Sequence, residues 1–225
     1  MIPKIIHQIW LGDQSKRPMS EINRLKEMNS SWEYILWTEN EIKSIFGELI
    51  NQRHFDSLVN LNSTIQDRIG SISDDYYYCG QSDILRYEIL YRYGGFYVDA
   101  DTVPIKEFSD ELCSNEVFAA YENEIARPGL IANGYLGSCK DSELMKIFID
   151  EIYKKDTILG IEPWISTGPL FLTNTIKEYN YDKIKIYPSY YFIPNHYTGQ
   201  SYQGDDSEHV YCDQLFLSTT NKQIK

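Results

Sequence analysis

Two hydrophobic periodicities alternate along the chain. Short apolar, β-branched or aromatic runs have the length of buried strands, at residues 4–10, 33–37, 96–98, 117–121 and 130–136. Apolar residues spaced three or four apart predict helices over about 38–46, 49–61, 82–93, 142–155 and 169–179. This alternation predicts an α/β sandwich with a mostly parallel central sheet and flanking helices. The ligand site of such a sheet lies at the carboxyl ends of its strands.

The segment around residues 82–101 has the sharpest local signals. Ser82 can cap a helix, Leu85, Ile89 and Tyr93 recur on one face, and two glycines follow. We therefore predict a helix from Ser82 to Tyr93, preceded by a loop from Gly70 to Gly80 that is rich in Ser, Asp and Tyr. Asp99 and Asp101 then fall where the strand 96–98 turns toward Pro104.

Length and composition place the chain among soluble globular proteins. The 225 residues fit one domain, with 42% hydrophobic and 24% charged residues. The four cysteines form no C-x-x-C pair, which favours reduced thiols, and no apolar run reaches the roughly 18 residues of a transmembrane helix. The N-terminus continues into a strand-like run rather than a signal core. We expect a cytoplasmic protein without a transmembrane segment, and a peripheral membrane contact stays open.

The charge limits the ligands that the chain can bind. A net charge of -12 argues against a nucleic-acid groove, which needs clustered Lys and Arg. An anionic ligand would need another source of positive charge. Asp99 and Asp101, just past a strand end, can reach one cation together, and their hard oxygens favour magnesium or manganese. Such an ion could bridge a diphosphate and stabilise it as a leaving group.

Asp83 and Arg86 are three residues apart and share a face of the predicted helix. They are either an ion pair on the surface or part of a sugar site. In the second case the carboxylate accepts from sugar hydroxyls and the guanidinium binds sugar or phosphate oxygens. The spacing alone leaves both alternatives open.

Two separated stretches resemble a known family. The run Ser82–Tyr87 with Leu90–Asp101 is similar to the signature of the DXD sugar-binding glycosyltransferases, and Ile2–Gly12 is similar to their first strand. That family includes fungal outer-chain mannosyltransferases, bacterial capsule and lipopolysaccharide sugar transferases, and the catalytic domains of large clostridial toxins. The resemblance implies a GT-A-type, Rossmann-like fold. It also implies retaining transfer of a hexose from a nucleotide-diphosphate sugar to an acceptor hydroxyl, in polysaccharide, lipopolysaccharide or glycoprotein glycan synthesis.

The resemblance also implies roles for individual residues. Asp99 and Asp101 would hold ribose and metal-bound diphosphate, Asp83 and Arg86 would contact the donor sugar, and Tyr97 would lie beside the nucleotide. Trp10 would stack on the base, with Gly12 in the same segment, unless Trp10 is a core aromatic. The cofactors would be manganese or magnesium and a nucleotide sugar, with UDP favoured over GDP. The acceptor would be a glycan, a lipid-linked glycan or a protein.

Three further segments have weaker matches to the family. Thr167-Gly168-Pro169 and Asn133-Gly134 resemble segments near the substrates, but they also fit a helix start and a turn. Near the C-terminus the chain lacks the Trp that relatives often carry. Ser218, together with Gln214, could complete the metal shell there.

Two other functions remain possible from the sequence. The run Phe96–Val103 fits the strand and D-x-D-x-T element of haloacid-dehalogenase-type phosphatases, in which Asp99 would be the nucleophile. The D-x-D-x-T element normally lies on the first strand of the domain, whereas residues 1–95 precede it here. Gly204-Asp205-Asp206 imitates the later acidic motif of these phosphatases, but no buried strand leads into it. The departure near the C-terminus is the basis of the other alternative, a non-catalytic domain that binds sugar nucleotides.

Overall fold

The computed structural model describes residues 1–45, 47–65, 74–202 and 207–217. Its strands are β1 Ile5–Ile9, β2 Glu33–Trp37, β3 Gly95–Val98, β4 Thr102–Pro104, β5 Val117–Asn123, β6 Arg127–Ser138, β7 Ile184–Tyr187 and β8 Cys212–Gln214. Its α-helices are α1 Met19–Met28, α2 Glu39–Lys43, α3 Gln52–Ile65, α4 Asp74–Tyr93, α5 Asp110–Cys113, α6 Glu143–Lys154, α7 Pro163–Ser166 and α8 Pro169–Glu178.

Six strands form the central sheet in the order β2-β1-β3-β6-β5-β7. β1 pairs in parallel with β2 and β3, and β5 with β7, whereas β6 runs antiparallel to β3 and β5. Five strands therefore point the same way. The predicted α/β sandwich with a mostly parallel sheet is confirmed.

The sheet separates two hydrophobic cores, and β3 contributes to both. Phe96 and Val98 belong to the core that contains Phe118. Tyr97, on the opposite face, packs in the core that contains Leu85 and Tyr87 of α4. Successive side chains of a strand point to opposite faces, so the apolar run of β3 is buried on both sides of the sheet. The turn that carries Asp99 begins where this run ends.

The predicted boundary of the central helix is wrong. α4 begins at Asp74, so residues 74–80 are helical rather than part of a loop, and Ser82 lies inside the helix instead of capping it. Residues 70–73 of the predicted loop lie outside the described part. Tertiary packing accounts for the difference, since Tyr77 and Ile84 share a buried cluster with Leu58. A side chain at Gly80 would lie 3.1 Å from Leu58, so the glycine allows this close approach.

The second helix begins as predicted and ends earlier. Thr38 caps α2 in a capping box with Glu41. α2 ends at Lys43 rather than near residue 46, and Phe46 lies outside the described part of the chain.

A second, two-stranded sheet joins distant parts of the chain. β4, which follows Asp101 directly, pairs antiparallel with β8, and Thr102 lies opposite Gln214. The sequence did not predict this pairing, which brings residues 212–217 to the acidic turn.

None of the helices in the described ranges combines the length and apolar character needed to cross a bilayer. The single domain over residues 1–225 stays a prediction.

Candidate active site

Asp99 and Asp101 lie at the carboxyl end of β3, at the edge of the sheet where parallel strands present their ligand sites. The Asp99 N–H donates to the carbonyl of Gly134 on β6 (2.9 Å), and the Thr102 N–H donates back to the Asp99 carbonyl (3.2 Å). Trp10 and Gly12 follow β1, which is parallel to β3, so they lie at the same edge. The structure thus places these four residues at one end of the sheet.

The Asp99 carboxylate is held by three side chains. Its Oδ1 accepts from the Tyr97 hydroxyl at 3.0 Å and lies 3.5 Å from an Arg86 nitrogen. Its Oδ2 accepts from the Gln214 amide at 3.1 Å. A side chain at Gly134 would lie 2.3 Å from Oδ2, so only glycine leaves room for this carboxylate.

Asp101 has main-chain partners from the C-terminal segment. Its Oδ2 accepts from the Leu217 N–H at 2.9 Å, and its carbonyl accepts from the Leu215 N–H at 3.1 Å. Phe216, between them, has a φ of 53°, which an aromatic residue rarely adopts. Withdrawal from water, together with the Asp99 charge, raises the pKa of Asp101 to about 6.

This pair of carboxylates fits a divalent cation. The Asp99 charge raises the electrostatic cost of charging Asp101, which a bound cation would relieve. Within the described ranges no cluster of three or more His, Cys, Asp or Glu could hold a metal. Magnesium commonly binds through one or two carboxylates plus substrate phosphates, so Asp99 and Asp101 are a sufficient protein contribution. Ser218, the predicted third ligand, lies outside the described residues.

Asp83 and Arg86 form a buried ion pair, so the surface alternative is wrong. Both residues are 5% exposed, and their charged groups lie 3.1 Å apart. Asp83 also accepts from the Asn133 amide at 2.8 Å and from the Thr167 hydroxyl at 3.0 Å. Burial raises the pKa of Asp83 to about 6, although the Arg86 charge and these hydrogen bonds oppose the rise.

Arg86 connects the ion pair to the acidic turn. Its guanidinium donates to the Asn133 carbonyl at 2.8 Å and lies 4.3 Å from the centre of the Tyr97 ring. Burial opposes its charge, but Tyr97, Asp83 and Asp99 outweigh this and raise the pKa of Arg86. Burial also raises the pKa of Tyr97 well above its ordinary value. Arg86 is thus a permanent cation between Asp83 and Asp99.

Trp10 and Gly12 form the loop that follows β1. Trp10 is half-buried rather than enclosed in the core, and its indole N–H donates to the Asp13 carbonyl at 3.1 Å. Gly12 has a φ of 89°, and a side chain there would meet the Tyr78 ring at 2.5 Å. The described hydrogen bonds of this loop do not reach the acids.

The structure adds one site residue, Gln8, to which the sequence reasoning gave no role. Gln8 is fully buried, donates to the Asp99 carbonyl at 2.9 Å and accepts from the Tyr34 hydroxyl at 2.6 Å. A polar residue within an apolar strand run was the available signal, because buried amides need partners.

Asn133 and Thr167 both contact Asp83. Asn133 lies inside β6, so the turn interpretation is wrong, whereas Pro169 begins α8 as predicted.

A family comparison covers this site. Residues 15–119 match the model of a glycosyltransferase sugar-binding region containing the DXD motif. Over this region the chain is therefore similar to the DXD-containing glycosyltransferases. The matched region includes Asp83, Arg86, Asp99 and Asp101, and the family resemblance drawn from the sequence is confirmed.

The relatives of known name are glycosyltransferases or mannosyltransferases. The chain is 26% identical to inositol phosphoceramide mannosyltransferase 1 of Schizosaccharomyces pombe, over 92% of this chain and 64% of that protein. It is 30% identical to inositol phosphoceramide mannosyltransferase 3 of the same yeast, over 76% and 44%. It is 26% identical to an uncharacterised glycosyltransferase, L373, of Acanthamoeba polyphaga mimivirus, over 80% and 66%. The chain therefore spans less than two thirds of each of these relatives.

Solved structures share the fold. The PaToxG glycosyltransferase superposes with a TM-score of 0.56 at 17% identity, covering 79% of this chain and 69% of that one. The UDP-bound glycosyltransferase domain of the YGT toxin gives 0.50 at 10% identity, covering 82% and 79%. The GT-A-type fold is thereby confirmed, and the phosphatase hypothesis gains no support.

Proposed function

We propose that this glycosyltransferase moves a hexose from a nucleotide-diphosphate sugar to an acceptor hydroxyl in a metal-dependent reaction. One observation carries the proposal: Arg86 lies between a buried Asp83 and the Asp99 of a strand-end acid pair. A manganese or magnesium ion held by Asp99 and Asp101 would supply positive charge to the leaving diphosphate. We favour UDP over GDP as the nucleotide.

The chain's own residues orient the donor in this proposal. Asp83 presents carboxylate oxygens to the sugar hydroxyls, and Arg86 faces the sugar and phosphate oxygens. The transfer is proposed to be retaining, with the acceptor hydroxyl attacking the face that the diphosphate leaves.

We assign the nucleotide to the loop after β1. Trp10 would stack on the base, where such contacts contribute roughly 1 to 3 kcal/mol per base in single-strand binding proteins. Gly12, whose positive φ shapes this loop, and Tyr97, which is buried and donates to Asp99, would lie beside the nucleotide. Gln214 positions Asp99, and Ser218 as a metal ligand stays a prediction.

The acceptor is proposed to be a glycan, a lipid-linked glycan or a protein, in polysaccharide, lipopolysaccharide or glycoprotein synthesis. Two of the named relatives are mannosyltransferases, so mannose belongs among the hexoses to be tested. A cytoplasmic location is proposed with it.

The deciding experiment measures release of nucleoside diphosphate from UDP-glucose, UDP-galactose and GDP-mannose with manganese, with and without candidate acceptors. We expect release from one donor, loss of release with a chelator, and a product whose anomeric configuration by NMR matches that of the donor. Donor binding without turnover would indicate the non-catalytic alternative. Phosphoester cleavage through a trappable aspartyl phosphate on Asp99 would indicate the phosphatase.

A further inference from the structure

Exposed apolar side chains gather where three segments of the chain meet. The segments are the turn between β5 and β6, residues 161–165 at α7, and the loop that contains Tyr197. We call their exposed apolar members the apolar patch, and each is between 37% and 52% exposed: Ile125, Ile161, Trp164, Ile165 and Tyr197. Side chains of this size are rarely grouped on a surface without a partner.

Polar contacts hold the three segments together. The Arg127 guanidinium, at the start of β6, donates to the Tyr197 hydroxyl at 2.7 Å and lies 5.4 Å from the centre of the Trp164 ring. The Asn123 amide, at the end of β5, donates to the Gln200 carbonyl at 3.4 Å. Arg127 thus joins Trp164 and Tyr197, and the turn that carries Ile125 lies between Asn123 and Arg127.

The patch begins beside the candidate active site. A side chain at Gly168 would lie 2.8 Å from the Cα of Trp164 and 3.1 Å from the Asp83 carboxylate. The hydroxyl of Thr167, next to Gly168, donates to that carboxylate. A partner seated on the patch would thus lie next to the Asp83–Arg86 pair.

The residue types favour a lipid surface over a sugar chain. Isoleucine side chains form no hydrogen bonds, so covering three of them is favourable only with an apolar partner. Trp and Tyr with a neighbouring Arg are typical of the boundary between hydrocarbon and water. These types match a bilayer surface better than a polyhydroxylated ligand.

The charges favour neutral headgroups. Arg127 lies 3.6 Å from Glu122, the Trp164 indole donates to Glu162, and Glu124 lies in the turn itself, so carboxylates outnumber cations among these residues. The whole chain has a net charge of -12. An anionic membrane would repel such a protein, whereas zwitterionic headgroups would not.

We propose that the apolar patch docks on the surface of a neutral phospholipid bilayer. In this position it holds the Asp83–Arg86 pair over an acceptor that is carried by a lipid. The choice of acceptor rests on the proposed transferase function, whereas the docking itself does not.

The test is flotation of the purified chain with vesicles of phosphatidylcholine, alone or mixed with phosphatidylserine. We expect the wild-type protein to float with phosphatidylcholine and to gain nothing from phosphatidylserine. The double variant Trp164→Gln/Ile165→Asn should lower the partition coefficient by about tenfold or more, because each side chain loses apolar burial.

Ile50→Asn is the matched control. Ile50 is 37% exposed and lies beside the far end of α4, where Asn51 contacts Glu88. It should float like the wild type. Circular dichroism should show that all three proteins are folded.

Three outcomes would overturn the docking. These are a wild-type protein that does not float, a double variant that floats equally well, and binding only to phosphatidylserine. Sedimentation velocity tests whether the patch instead joins two copies of the chain. A wild-type dimer that binds no vesicles, and that becomes a monomer in the double variant, would show this. Release of nucleoside diphosphate in water is measured in parallel. Its absence in a wild-type protein that floats would refute the transferase function and leave the docking intact.

Discussion

At the scale of single residues, the two acids of the strand-end turn differ in their partners. Asp99 contacts Tyr97, Arg86 and Gln214, whereas the Asp101 carboxylate accepts from the Leu217 N–H and shares the Gln214 side chain with Asp99. The raised pKa of Asp101 indicates that the fold disfavours its charge. That charge is therefore better explained by ligand binding than by stability.

We predict that Asp101→Asn keeps the fold and loses transfer. The amide oxygen can still accept from Leu217, but one of two metal-binding charges is gone, which should slow turnover by about a hundredfold or more. Turnover with manganese and the melting temperature without ligand are the measurements. Asp99→Asn should lose activity too, with weaker donor binding. Wild-type turnover in Asp101→Asn would refute the metal assignment.

Arg86 couples activity to stability. We predict that Arg86→Ala destabilises the protein by about 3 to 5 kcal/mol, because it leaves the Asp83 carboxylate buried without its cation. Arg86→Lys should restore part of the stability but little of the activity. A single ammonium cannot reach Asp83 and the Asn133 carbonyl together as the planar guanidinium does. Urea unfolding measures the stability of each variant, and turnover corrected for the folded fraction measures its activity. Full activity in Arg86→Lys would contradict the proposed role of Arg86.

The sequence was informative about residues whose chemistry is local. Asp99, Asp101, Asp83 and Arg86 could be selected because their spacing on a strand end and a helix is read directly from the chain. The partners of these residues come from other elements, as Asn133 and Thr167 show. Gly134 is the clearest case, since its role is to leave space for a carboxylate on the neighbouring strand.

At the scale of elements, β1 is joined to β2 and to the end of α4 through one imidazole. His7 is fully buried; its Nδ1 accepts from the Trp37 indole N–H at 3.1 Å, and its Nε2 donates to the Gly94 carbonyl at 2.8 Å. A proton on Nδ1 would face another donor. Burial lowers the pKa of His7 to about 4, so the ring is neutral in the folded protein.

This lowered pKa predicts acid destabilisation between pH 6.5 and 4. Over that range the unfolded chain binds a proton that the folded chain excludes, so stability falls as the pH falls. From pH 7 to pH 5 the contribution is about 2 kcal/mol. We predict that His7→Gln, which cannot titrate, loses less stability than the wild type over this interval in urea unfolding. Equal losses in the two proteins would show that His7 is not the group responsible.

Helices and strands could be predicted where the spacing of apolar residues determines them. They were harder to predict where contacts with distant parts of the chain determine their bounds. The apolar runs gave β1, β2, β3, β5 and most of β6. The first turns of α4 were missed because Gly80 reads as a break, although its lack of a side chain serves the contact with Leu58. β4 and β8 have three residues each, too short for a period, and their pairing depends on the whole fold.

At the scale of the whole molecule, the net charge of -12 makes an anionic donor depend on a cation. We predict that a donor raises the melting temperature only when manganese or magnesium is present. At 100 times its dissociation constant the donor adds about 2.7 kcal/mol, or roughly 5 to 10 °C for a chain of this size. Thermal shifts with each nucleotide sugar, with metal and with chelator, measure this. An equal shift in chelator would show that Arg86 suffices for the diphosphate.

The pairing of β4 with β8 also sets when the site can exist during protein synthesis. Asp99 and Asp101 are made 115 and 116 residues before Gln214 and Leu217, the residues that hold their carboxylates. A nascent chain that stops short of residue 212 therefore carries both acids but neither of these partners. The ribosome must pass Leu217 before the acidic turn is complete, so the active centre forms later than the central sheet, whose last strand ends at Tyr187.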